Sequence, residues 1–244
     1  MRKHKGFATL LLALCLLVSG AAAEGLQGAT LQGLITALET DGFRMDDTLL
    51  GTVEVRLDAQ LTAYEGIAAR DRLAVGQYVY VLYDGILTRS MPPQVTARKV
   101  SCFALTGTVG AILENGCVVE GDAVLGTTVV HMAEGQPPVF TGMTVTAYYN
   151  GVLALSLPPQ LTAVHLVVPV LEGTVSRTAD AGFTLTDANG SATAITLTEV
   201  TALATLPADG VTVRVYYSGK AAADGAVTAL GVQAATEDAA GARE

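Results

Sequence analysis

Nucleophilic catalysis needs a serine or cysteine beside a base, most often a histidine oriented by a carboxylate. Beyond its first 23 residues this chain offers two histidines, His131 and His165, in different parts of one repeat. No Gly-x-Ser-x-Gly elbow accompanies them, so both read as strand residues and not as bases. Asp46-Asp47 and Glu120-Gly121-Asp122 sit in turn-like stretches without the spaced oxygen ligands of a calcium loop, and read as turn acids. Cys102 and Cys117 form no Cys-x-x-Cys pair; a disulfide and two small buried hydrophobes both fit them. No phosphate-cradling glycine loop is present, and no acid recurs on an apolar wall as a glycosidase would need. The sequence therefore predicts no catalytic residue, no metal and no cofactor. What remains are tyrosines. Tyr80, Tyr148 and Tyr216 are candidate ligand-binding platforms, because a flat ring stacks on a sugar or a peptide. The competing reading makes them ordinary strand residues covered by a neighbouring module.

The elements that would position these side chains are repeated. Residues 81–97, VLYDGILTRSMPPQVTA, return 66 positions later as AYYNGVLALSLPPQLTA. Three copies open on Leu31-Gln32-Gly33, Leu105-Thr106-Gly107 and Leu171-Glu172-Gly173. Each continues through a polar turn ending in Gly42, Gly116 or Gly182 and an alternating strand at 53–57, 129–132 or 194–197. VYVLYDG, VTAYYNG and VRVYYSG then run in step, and Val95, Leu161 and Val227 open the closing strands. Period-two alternation puts Val79, Val81 and Tyr83 on the core face and Tyr80 and Leu82 on the other. Asp84-Gly85, Asn150-Gly151 and Ser218-Gly219 are expected to fill the centre of a tight type I′ hairpin turn. Pro92-Pro93 and Pro158-Pro159 would break the returning strand, because proline donates no ladder bond. The third copy has Ala222-Ala223-Asp224-Gly225 instead.

Five short strands per copy predict an all-β chain of three tandem five-stranded barrels of the oligonucleotide/oligosaccharide-binding (OB) type, with small β-sandwiches as the alternative. The expected boundaries are a signal peptide at 1–23, β modules at 31–103, 105–169 and 171–235, and a flexible tail at 236–244. Only Leu61 to Leu73 has a pattern that could turn helically.

The segment from Gly76 to Ala97 resembles uncharacterised OB-like repeat modules of secreted proteins and lipoproteins from Gram-positive bacteria. Gly76, Val79, Val81, Tyr83, Asp84, Gly85, Ser90, Pro92, Gln94 and Ala97 carry the resemblance, and the second copy repeats it from Gly142 to Ala163. The third copy keeps Gly210, Val213, Val215, Tyr217, Gly219 and Ala229. The resemblance implies exported β-barrel repeats and supplies no catalytic residues.

Arg2, Lys3 and Lys5 precede an apolar run from Phe7 to Val18 and an Ala21-Ala22-Ala23 cleavage pattern, the signature of a Sec-type signal peptide. Cys15 lies inside that run, which argues against a lipid anchor. No later run is long enough to span a bilayer, so no stable transmembrane span is expected after cleavage. Three of the 14 basic residues go with the leader; 11 then face 23 acids, a net charge of −12. Such a surface is expected to repel nucleic acid. The sequence thus predicts a secreted or extracytoplasmic, non-enzymatic structural or interaction protein of the cell envelope. Its expected partner is a protein, peptide or glycan; the alternative is an accessory binder of cell-wall glycan or peptide through exposed strand tyrosines.

Overall fold

The computed structural model describes residues 28–235 except residue 180; the expected signal peptide at 1–23 and tail at 236–244 lie outside the described residues. The chain is all-β. In the first barrel, β1 (Ala29–Glu39), β2 (Gly42–Asp47) and β3 (Gly51–Leu57) form an antiparallel meander. A short β4 (Ala63–Gly66) leads to β5 (Tyr78–Tyr83), which pairs with β1 on one side and β6 (Gln94–Leu113) on the other. The ring closes where β3 runs parallel to β6, from Glu54↔Gln94 to Leu57↔Ala97. One parallel contact in an otherwise antiparallel ring is OB topology, and closure settles barrel over sandwich.

The second barrel repeats the circuit with the far half of β6, then β7 (Gly116–Asp122), β8 (Gly126–Met132), β9 (Thr144–Tyr149) and β10 (Gln160–Val167). Its parallel closure joins β8 to β10. The third uses β11 (Val170–Ala179), β12 (Gly182–Thr186), β13 (Ala192–Thr196), a two-residue β14 (Ala202–Leu203), β15 (Thr212–Tyr217) and β16 (Val227–Ala234). β13 and β16 close that ring in parallel. β6 is twenty residues long because the closing strand of one barrel continues as the opening strand of the next.

Alternation placed the cores correctly. Val79, Val81 and Tyr83 are buried with Phe43, Met45 and Val55, and Val145, Ala147 and Tyr149 with Leu105 and Val119. The repeated glycines serve closeness of backbone. A Cβ at Gly33 would strike the Asp46 carbonyl, and one at Gly42 the Val55 carbonyl; Gly107 and Gly116 meet Glu120 and Val130 in the same way. Small barrels bend their strands tightly, and these are the points of contact.

Three expectations are corrected. The Asp-Gly, Asn-Gly and Ser-Gly pairs do not make type I′ turns: only Gly85, Gly151 and Gly219 have positive φ. The preceding side chain instead accepts the N–H two residues on, at 3.0 Å for Asp84 to Ile86, 3.0 Å for Asn150 to Val152 and 3.3 Å for Ser218 to Lys220. A side-chain turn of this kind needs no left-handed first residue, and a loop follows where a hairpin was expected. Second, Leu61–Leu73 is no helix, because β4 lies parallel to β6 and Thr62 Oγ1 donates to the Ala97 carbonyl at 2.7 Å. Third, the turn acids are not simply solvated. Asp47 is buried and accepts the N–H groups of Gln32, Leu49 and Leu50. Asp122 repeats this with Thr106, Val124 and Leu125; burial would raise its pKa, but the three backbone donors outweigh burial and hold it low.

The proline segments also find their role. The Pro93 carbonyl accepts the Glu54 N–H at 2.9 Å, and the Pro159 carbonyl accepts that of Val129 at 2.9 Å. Proline lacks a donor but keeps its acceptor, so each pair starts the parallel closure. Gln94 Nε2 then donates to Glu54 at 2.6 Å, and Gln160 bonds His131 Nε2 at 2.9 Å. Without that segment the third barrel closes through two paired positions, against four in each of the others.

Candidate binding cleft at the first barrel junction

The strand faces that point away from the cores decide what is left for a ligand. On β9 and β15 that face carries Tyr148 and Tyr216, and both rings are covered. Tyr148 is 8% exposed and belongs to the core cluster of the first barrel; Tyr216 is 5% exposed and belongs to that of the second. His165 lies beside Tyr148 and stacks on Tyr78, each at a centroid distance of 6.1 Å, and burial lowers its pKa. At the second junction Phe140 meets Tyr216 at 6.0 Å and packs against Gly231, where a Cβ would strike its ring. Two of the three candidate tyrosines therefore present no open platform.

Tyr80 differs. It is partly buried and lines a cleft of about 390 Å³ between the first two barrels, with Leu82, Phe103 and the turn at Asn150-Gly151-Val152. Its ring meets Tyr78 edge-on at 5.7 Å. Its hydroxyl is buried without a partner, and burial, reinforced by Tyr78, pushes its pKa up to about 12. It stays a neutral phenol with an unused donor.

Opposite Tyr80, Glu65 accepts from Lys99 Nζ at 2.9 Å and from Ser101 Oγ at 3.0 Å. Those two bonds, the Lys99 bond first, hold the Glu65 pKa below its ordinary value. Lys99, Ser101 and Phe103 alternate along β6, so they share the face that points away from the core. Glu65 comes from β4, an element without a counterpart in the second barrel. Sequence reasoning missed these four residues, although the i, i+2, i+4 spacing in β6 was a readable signal. The cleft combines two aromatic faces, a self-compensated ion pair and uncharged hydrogen-bonding groups.

The histidines do not meet. His131 is held by Gln160 at the closure of the second barrel, while His165 sits in the first junction. Cys102 and Cys117 are free thiols buried in different cores, and burial pushes Cys102 up to about 11. Among the described residues no three His, Cys, Asp or Glu side chains cluster as metal ligands would, and no helix is long and apolar enough to cross a membrane.

No protein-family model and no curated protein matches this chain. Among solved structures it is similar to Drosophila Unr CSD456, at 14% identity over 86% of this chain and 99% of that one, with a TM-score of 0.20. It is also similar to a multidomain protein with nucleic acid binding domains from Streptococcus pneumoniae TIGR4. There the identity is 13% over 84% of this chain and 73% of that one, with a TM-score of 0.21. Likeness at this level assigns the chain neither a family nor a ligand. It does correct one expectation: with a match described by its nucleic acid binding domains, net charge no longer excludes nucleic acid as a partner.

Proposed function

We propose that this protein is an exported, non-enzymatic interaction protein of the cell envelope, in which joined OB-like barrels frame a binding cleft for an uncharged, hydroxyl-rich ligand. A glycan fits that description best. The observation that carries the reading is the fate of the outer tyrosines. Tyr148 and Tyr216 hold barrels together, whereas Tyr80 remains at an open cleft. Lys99 and Glu65 neutralise each other, so the cleft offers stacking and hydrogen bonds in place of a net charge. The resemblance to exported repeat modules supports the location.

The test is an array of cell-wall glycans, peptides and single-stranded RNA and DNA, probed with the chain from Glu24 onward. Glycan binding is expected, weakened about tenfold by Tyr80→Ala or Lys99→Ala, with circular dichroism confirming that both variants fold. Unchanged binding in both variants would remove the cleft from the reading, and binding to nucleic acid alone would replace the glycan.

A further inference from the structure

The loops that carry the proline pairs, residues 84–93 and 150–159, have a surface that barrel closure does not require. In the second, Leu155 is 95% and Leu157 100% exposed, with Val152 largely exposed beside them. In the first, Met91 is 95% exposed and Ile86 stands out with it. These side chains protrude from loops, where a core has no use for them.

The charge pattern singles out the same places. Residues 135–171 contain no Asp, Glu, Lys or Arg at all. Residues 85–113 contain no acid, and within the first loop Arg89 is the sole charge after Asp84. On a chain with 23 acids, both loops lie in acid-free stretches beyond their first residue. The backbone of the second is also partly satisfied from within. Ala154 and Gln160 exchange N–H···O bonds at 2.8 and 3.1 Å, and Asn150 Oδ1 accepts from Val152. Ser156 Oγ donates to the Pro158 carbonyl at 2.6 Å, and the two prolines carry no N–H.

We propose that these two loops dock the protein peripherally on a lipid bilayer of low net charge, inserting their apolar tips to the level of the headgroup–acyl boundary. A protein pocket must match each protruding side chain. A fluid acyl layer accepts any of them, provided no ionised group is carried in, and that is the condition these loops meet. Arg89 does not break it, because a long cationic side chain reaches back to the headgroups. The acidic remainder of the surface is repelled by anionic headgroups, so neutral lipid is the better host. The equivalent segment of the third barrel, SGKAAADGA at 218–226, has neither large apolar side chains nor freedom from charge, and takes no part.

The experiment is flotation of the chain from Glu24 onward, which keeps every described residue, with vesicles of phosphatidylcholine alone or mixed with phosphatidylglycerol. Binding to phosphatidylcholine is expected, weaker on the mixture. The triple variant Met91→Asn, Leu155→Asn, Leu157→Asn should lose about tenfold or more of its partitioning. Leu49→Asn and Val124→Asn, which change exposed side chains in other turns, should leave it unchanged. Because the chain has no tryptophan, Leu157→Trp supplies a single reporter whose emission should shift to the blue on vesicles. Wild-type protein that stays with the aqueous phase, a triple variant that floats as before, or a Leu157→Trp variant whose emission does not shift would overturn the proposal. So would a soluble protein partner lost with the same triple variant while vesicle binding persists.

Discussion

Tyr148 stands on the outward face of its strand and is nonetheless buried, because the first barrel covers it. Leu82, Tyr148 and Tyr216 occupy the same position in the three copies, and the two tyrosines are the ones that reach into a preceding barrel. Period two told which face each residue takes, and it holds for every valine of β5, β9 and β15. What covers an outward face is a matter of neighbours, which lie outside any local pattern. That is why Tyr80, Tyr148 and Tyr216 looked alike in sequence and have different surroundings in space. Tyr148→Ala is expected to cost about 3 kcal/mol, the usual penalty for emptying a buried aromatic site. Urea unfolding followed by circular dichroism would show it, and a midpoint unchanged from wild type would mean that the junction does not depend on the ring.

Among the elements, β6 carries the most weight. It pairs with β3, β4 and β5 in one barrel and with β7 and β9 in the next. At the boundary Gly66 faces Cys102, while Phe103 and Ala104 face Tyr149 and Tyr148. Both halves were legible as strands, from Val95-Thr96-Ala97 and from Leu105-Thr106-Gly107. Their fusion was not, since a stretch with no Gly, Pro, Asn or Asp between Val95 and Leu105 says nothing about which sheet each part joins. β4 escaped for a related reason: four residues held by one parallel partner have no periodicity of their own. Inserting Gly-Ser between Phe103 and Ala104 should uncouple the two barrels, turning one calorimetric transition into two. A single transition in the insertion variant would show that side-chain packing at the junction suffices for coupling.

At the scale of the molecule, repetition was the strongest signal, and it gave the barrels and their order. The cleft was far less legible, because it is built from β1, β4, β5 and β6 of one barrel and a turn of the next. No copy contains it alone. Repeats also hid the purpose of the proline pairs, whose closing role depends on an acceptor with no donor. The proposed export is tested on the whole chain: mass spectrometry of protein recovered outside the cytoplasm should find Glu24 as its first residue. A retained leader would place the protein on the membrane by its N-terminus instead. The two boundaries between barrels are built differently. Tension drawn along the chain would cross the first through a strand laced to neighbours on either side of the seam. It would cross the second through Val168-Pro169, between the end of β10 and the start of β11, where the proline offers its carbonyl to Tyr217 and has no hydrogen to give. One seam is a weld and the other a short link, backed by the packing of Tyr216 and by the Thr144 N–H to the Ser218 carbonyl, so under such tension the second seam is expected to part before the first.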